Sequence, residues 1–178
     1  EKEIKASFHI KAPMKVFAWN AKREKDTIMT PYDSIKYHRQ MEQASFMAMD
    51  PITGEIKAWV GGINFKTYKF DHVNLKTKRQ VGSTIKPFLY TQAMEERGFT
   101  PETECENVAQ NFGGGAWVPS GKKCGGGSLT MANALAYSKN CATAYIMKQV
   151  GPKQFVDFLG RVGVPTKVKP YPSICLGT

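Results

Sequence analysis

No run of about 20 consecutive apolar residues occurs in these 178 residues, and no stretch has the layout of a secretory leader. By itself this piece neither spans a membrane nor carries a membrane address. Cysteine is scarce: four residues, at 105, 124, 141 and 175, with no C-x-x-C pair and no histidine nearby. That argues against a zinc site, and no metal or cofactor is expected. The three histidines, His9, His38 and His72, stand in different contexts, and His38 reads as a half-buried helix residue rather than a ligand. Neither an internal repeat nor a low-complexity tract is found. A basic helix interleaved with aromatics is also missing, so specific nucleic-acid recognition is not expected.

What is present fits one globular domain, or one domain plus a piece: 42% hydrophobic and 22% charged residues, with a net charge of +10. Such a balance suits nucleic acid, anionic lipid or an anionic polymer. The basic residues are scattered, clustering only at Lys22-Arg23, Lys76-Thr77-Lys78-Arg79 and Lys122-Lys123. Cys141 and Cys175 have apolar neighbours and read as small buried hydrophobes. Cys105 and Cys124 bracket a loop rich in Gly, Asn and Pro, where a disulfide in an oxidising compartment and two free thiols are both open.

Along the chain, Ile4, Ala6, Phe8 and Ile10 alternate, as do residues 16–19, predicting short strands broken by Pro13. Lys22 to Asp26 reads as a charged turn before a strand over 27–30 that Pro31 ends. The spacing of Ile35, His38 and Met41 predicts a helix over 34–43. Residues 44–60 form the clearest hairpin, with Asp50-Pro51-Ile52-Thr53-Gly54 as its turn. Residues 64–79 read as a surface excursion. From Thr100 to Gly127, two prolines and two glycine triplets predict a long loop. Ser128 reads as an N-cap, followed by helices to Tyr137, over 142–150, and after Gly151-Pro152.

Chemistry concentrates in Gln80-Val81-Gly82-Ser83-Thr84-Ile85-Lys86-Pro87-Phe88. Proline is tolerated only in a helix's first turn, so Pro87, followed by Phe88, Leu89, Ala93 and Met94, predicts a helix starting near Ser83 and stopping at Gly98. Residues three apart share a helix face, so Ser83 Oγ and Lys86 Nζ can meet, beside the positive dipole end. That is the geometry of a nucleophile with its own base. A plain N-cap followed by a solvated lysine fits the same residues. The spacing recurs at Ser120 and Lys123, in a loop with no helix behind it. A second cluster, Ser138-Lys139-Asn140, falls between two helical patterns, where hydroxyl and amide could share one cleft or merely connect helices.

Both motifs, in this order, resemble those of the class A, bifunctional penicillin-binding proteins. Residues 48–62 (Ala48-Met49-Asp50-Pro51-Ile52-Thr53-Gly54 through Val60-Gly61-Gly62) are similar to the hairpin ahead of their nucleophile. Arg79 to Phe88 resembles the nucleophile segment nearly position for position, and Ser128 to Asn140 the second-motif helix. Trp117-Val118-Pro119 resembles a cleft-lining loop, with Ser120-Gly121 in place of the usual continuation. The resemblance implies an α+β fold, an α/β/α sandwich of the beta-lactamase/transpeptidase type. It would be incomplete because the C-terminal sheet strands are missing. Residues 1–43 would be a linker region before the transpeptidase domain, and 44–178 its N-terminal and helical part.

The implied activity is peptidoglycan DD-transpeptidation. Ser83 would be the nucleophile, Lys86 its base, Ser138 a proton relay, and Asn140 and Trp117 substrate contacts. Implied partners are D-Ala-D-Ala stem peptides and beta-lactams, with no cofactor. The implied location is the periplasmic face of the inner membrane, through an N-terminal anchor outside the chain. One element departs: no lysine-threonine-glycine follows, since Lys76-Thr77-Lys78 lacks the glycine and precedes Ser83. A piece of a longer protein, inactive alone and exposing a sheet edge, is therefore expected, with the third-motif strand and the glycosyltransferase domain elsewhere. A carboxypeptidase, beta-lactamase or beta-lactam sensor of the same fold, or a non-enzymatic basic module, are the alternatives.

Overall fold

A computed structural model describes residues 6–74, 76, 78–119, 123–164 and 168–178. Ile4, Thr77, Ser120, Gly121 and Lys122, which figure in the expectations above, lie outside them. The chain divides into two compact units, Glu1–Lys78 and Arg79–Thr178.

In the first unit, β1 (Ala12–Phe17) and β2 (Glu24–Met29) form an antiparallel ribbon with Ala12 opposite Met29 and Phe17 opposite Glu24. Pro13 does not break β1 but pairs with Ile28. A two-stranded ribbon has only edges, so a residue whose N–H would face outward can be proline. Ala6 and Ser7 are helical rather than extended. The turn falls earlier than Lys22–Asp26, with Arg23 at φ 56, so Glu24 to Asp26 belong to β2. Helix α1 (Pro31–Arg39) starts three residues before the expected Ser34, because Thr30 caps it: its hydroxyl accepts the Asp33 N–H at 3.0 Å. His38 Nε2 accepts the Phe17 N–H at 3.3 Å while Nδ1 donates to Ser34 O at 2.8 Å, so His38 is a structural tie.

The hairpin stands where the sequence puts it, β3 (Phe46–Met49) against β4 (Ile56–Val60), with a bulge at Ala48/Met49. Asp50 Oδ1 accepts the N–H groups of Ile52 and Thr53, each at 2.9 Å. Phe46, Met49, Ile56 and Val60 are all exposed within this unit.

In the second unit, a 3-10 turn (Gly82–Ile85) leads into α2 (Lys86–Arg97), which Gly98 ends in the left-handed conformation. The α-helix proper starts at Lys86, one tight turn later than expected, with Pro87 in its first turn. The segment 100–127 is not a structureless loop. It contains β5 (Glu104–Glu106), β6 (Gln110–Asn111) and β7 (Ala116–Trp117); β6 pairs with β7, and β5 with β8 (Ser128–Thr130). Ser128 is therefore in a strand, and the cap of α3 (Met131–Ala136) is Thr130, whose hydroxyl accepts the Asn133 N–H. Helices α4 (Asn140–Val150) and α5 (Pro152–Arg161) follow, then a 3-10 turn (Pro172–Leu176).

The described strands thus form four two-stranded antiparallel ribbons rather than one sheet. The core of the second unit joins Leu89 and Ala93 of α2, Ala142, Ile146 and Met147 of α4, and Phe155, Phe158 and Leu159 of α5. Burying each large apolar side chain contributes about 1.5–3 kcal/mol. Arg97 donates to Val150 O at 3.0 Å, satisfying a carbonyl that the end of α4 leaves open.

The cysteines pair differently from expectation. Cys124 is bonded to Cys141, while Cys105 and Cys175 are free and fully buried. The β5–β8 pairing sets Cys105 opposite Leu129 and places it in the core. Cys141, read as a simple buried hydrophobe, is buried but bridged.

Candidate active site

The second unit brings Lys86, Ser138 and Asn140 together. Lys86 sits in the first turn of α2 and is 1% exposed. Its Nζ donates to Ser138 O at 2.8 Å, Ser138 Oγ at 2.9 Å and Asn140 Oδ1 at 2.7 Å. Three acceptors match the three donors of an ammonium, so the buried group is fully satisfied. Burial pushes its pKa below the ordinary 10.5, with Cys175 a smaller influence in the other direction. A shift in this direction favours the neutral amine that a base has to be.

The turn that presents Ser138 has a defined origin. Helix α3 ends at Ala136; the Ser138 N–H then bonds to Leu135 O and the Lys139 N–H to Ala134 O, each at 2.9 Å. This two-bond termination requires a left-handed residue after the cap, where glycine is usual, and Ser138 fills it at φ 51. Asn140, half-buried, opens α4 one residue after Lys139, so the side chains on either side of Lys139 converge on one amine. The bridge at Cys141 ties this end of α4 to the segment carrying Cys124.

Ser83 lies in the 3-10 turn before Lys86 and is exposed. No hydrogen bond joins its Oγ to Lys86 Nζ; among the described residues the acceptors of the lysine's hydrogen bonds are all on the 138–140 turn. The turn holding Ser83 is fixed from below: Gly82 N–H donates to Gly177 O at 3.3 Å. Gly177, at φ 71, presses so close that a Cβ there would meet Gly82 backbone atoms at 2.2–2.8 Å. Trp117 packs edge-on against Phe112 with ring centroids 5.8 Å apart, in a groove of about 430 Å³ that Pro172 and Ser173 also line. Ser120 of the second serine–lysine spacing lies outside the described residues.

Sequence reasoning missed three contributors. Tyr90 lies one turn beyond Lys86 on the same face, a position that helical spacing alone could have singled out. Thr143, on α4, is fully buried and bonds to Tyr90. Gly177 could not have been found, since its role depends on a close approach of distant backbone. Among the described residues, no group of three or more His, Cys, Asp or Glu is placed to hold a metal ion. Nor, among those residues, is any helix long and apolar enough to cross a membrane.

Comparison with known proteins bears on the family and the fold. A family profile described as penicillin binding protein transpeptidase domain matches residues 44–169, more than half the chain, and one described as penicillin-binding protein middle domain matches residues 1–41. Penicillin-binding protein 1A of Rickettsia conorii is 35% identical over 141 residues, 75% of this chain and 17% of that protein. Penicillin-binding protein 2D of Bacillus subtilis is 33% identical over 142 residues, covering 76% and 20%. The solved structure of penicillin-binding protein 1A from Haemophilus influenzae superposes with a TM-score of 0.64 at 26% identity, over 75% of this chain and 20% of that one. PonA1 of Mycobacterium tuberculosis, solved in complex with penicillin V, has a TM-score of 0.59 over 99% of this chain and 49% of that one; at 18% identity it speaks for the fold alone. The chain spans a fifth or less of the curated relatives described here. With a transpeptidase-like α+β fold and a family match across most of its length, the chain belongs to the penicillin-binding protein transpeptidase family.

Proposed function

We propose that this chain supplies part of a peptidoglycan DD-transpeptidase centre, with residues 44–178 belonging to the transpeptidase domain and 1–43 preceding it. The observation that carries the reading is the buried Lys86 amine, held by Ser138 and Asn140 from 52 and 54 residues away. A lysine sealed from water and ringed by acceptors contributes little as a surface charge. It has a use as a proton acceptor beside a hydroxyl.

In this reading, a stem peptide ending in D-Ala-D-Ala binds across the 138–140 turn, with Asn140 and the groove at Trp117 contacting it. Neutral Lys86 takes the Ser83 hydroxyl proton as Oγ attacks the penultimate carbonyl carbon. Attack requires the exposed Ser83 side chain to turn onto Nζ, a hydrogen bond of the kind that tightens only when substrate is bound. The Ser83 N–H, near the mouth of α2, stabilises the developing oxyanion. As the tetrahedral intermediate collapses, the C–N bond breaks and the proton passes from Lys86 through Ser138 Oγ, 2.9 Å away, to the departing D-Ala amine. An amine from a second strand then takes the acyl group, giving a cross-link and restoring the Ser83 hydroxyl. Beta-lactams are donors that leave Ser83 acylated. A centre of this kind works at the outer face of the bacterial inner membrane, with the third-motif strand and membrane anchor supplied by the rest of the protein; no cofactor, metal or nucleic acid takes part.

The test is labelled penicillin on the full-length protein. Covalent label that survives denaturation and is lost in Ser83→Ala is expected. A label untouched by Ser83→Ala overturns the assignment, and an acyl-enzyme lifetime of seconds converts the reading to a beta-lactamase of the same fold.

A further inference from the structure

One turn below the lysine cluster, a second polar connection joins α2 to the 137–140 turn, and it touches no reacting group. Tyr90, four residues after Lys86, is 2% exposed and reaches Thr143 Oγ1 at 3.0 Å. Thr143, 0% exposed, bonds through the same oxygen to Lys139 O at 2.9 Å. A carbonyl cannot donate, so the threonine proton points at Lys139 O and the tyrosine proton points at the threonine. The chain therefore has one direction: Tyr90 O–H to Thr143 Oγ1, Thr143 O–H to Lys139 O.

Its end point matters. Lys139 is the residue between Ser138 and Asn140, and its carbonyl belongs to the peptide that leads into Asn140. That carbonyl takes both the Thr143 N–H at 3.0 Å and the Thr143 hydroxyl. Lys139 is also the N-cap of α4 and offers no side-chain cap of its own. A threonine hydroxyl folded back on the carbonyl four residues earlier slightly destabilises and bends an ordinary helix. Here it is buried with a partner of its own, and the tyrosine proton would be stranded without it. The preceding residue, Ser138, is held in the left-handed conformation, which an L side chain abandons unless its surroundings fix it.

We infer that Tyr90 and Thr143 are positioning residues: their relay locks the Lys139–Asn140 peptide, and so holds Ser138 Oγ and Asn140 Oδ1 on Lys86. The inference rests on the proposed function for its kinetic readout but not for its structural one.

The experiment uses the full-length protein with Thr143→Val, which keeps the shape and removes the hydroxyl, together with Thr143→Ser, Tyr90→Phe and the Tyr90→Phe/Thr143→Val double variant. Acylation by labelled penicillin is followed as binding constant and acylation rate separately, and amide hydrogen exchange over residues 138–141 is measured in parallel. Thr143→Val is expected to lower the acylation rate about tenfold, the worth of one well-made buried hydrogen bond, with binding little changed. Thr143→Ser should restore it to within about twofold, and Tyr90→Phe should add little on the valine background, since both changes cut one relay. Exchange over 138–141 should quicken in Thr143→Val. Wild-type rates and exchange in Thr143→Val overturn the relay, as do independent effects of the two changes or a loss that serine does not restore. If wild-type protein is not acylated at all, the transpeptidase reading fails by itself. The relay is then decided by exchange alone: faster exchange in Thr143→Val upholds it, unchanged exchange rejects it.

Discussion

Ser138 occupies a position that the backbone would give to glycine, and two substitutions there separate the cost of its conformation from the use of its hydroxyl. At φ 51 it completes the termination of α3 through the bonds to Leu135 O and Ala134 O. An L side chain in this region costs roughly 1–2 kcal/mol, and glycine avoids most of it. Ser138→Ala keeps that cost while removing Oγ, and Ser138→Gly removes both. Each leaves Lys86 two of its three acceptors, Ser138 O and Asn140 Oδ1. Glycine recovers the strain but gives back part of it through the greater freedom of the unfolded chain, leaving the glycine variant about 1 kcal/mol more stable than the alanine one. For a domain of this size that is a melting temperature about 2–4 °C higher by calorimetry. Penicillin acylation should fall equally in both, by about 100-fold or more, the scale of a lost proton-transfer group. An alanine variant at least as stable as the glycine one would refute the conformational argument. A glycine variant that acylates normally would refute the role of the hydroxyl.

Gly177→Ala should place a methyl group 2.2–2.8 Å from the Gly82 backbone and push the Ser83 turn out of place. A displacement near 1 Å is enough to cut acylation on the order of 100-fold, which stopped-flow labelling would read against wild type. Titration with a thiol reagent should find two free thiols in the unfolded, unreduced chain and four after reduction, given the Cys124–Cys141 bridge. Replacing that pair by Ala should cost about 3 kcal/mol in the chain-entropy account, measurable by denaturant unfolding. Burial pushes the Cys105 thiol up to about 11 and Cys175 to about 12 from 9.0. The folded state then keeps protons that the unfolded chain releases, so stability should fall as pH rises above 9.0, and less steeply in Cys175→Ala.

The sequence exposes what is local. Pro87 and Gly98 bracket α2 because each acts within one turn of itself, and the Asp50–Gly54 turn is complete within its own residues. Non-local pairing is where local reading fails. The segment 100–127 reads as loop because its strands are two or three residues long and find their partners only in the fold, β5 reaching β8. Cys105 lies in the core and Cys124 is bonded to Cys141, arrangements that only the fold reveals. Ser138 and Asn140 are legible as a motif, but that both accept from the Lys86 amine shows only in the fold. The tie between Tyr90, Thr143 and Lys139 O has no sequence signature beyond the helical offset of Tyr90 from Lys86.

The central claim, that a buried amine activates Ser83, is tested most directly by the pH dependence of Ser83 acylation in the full-length protein. Burial holds the Lys86 pKa below 10.5, and only its neutral form can take the serine proton. The rate should therefore climb about tenfold per pH unit while the amine is still charged, then level off below pH 10.5. In Lys86→Met both the climb and most of the rate should vanish, with the protein still folded. A flat profile in the wild-type protein, or an unchanged one in Lys86→Met, would contradict the account.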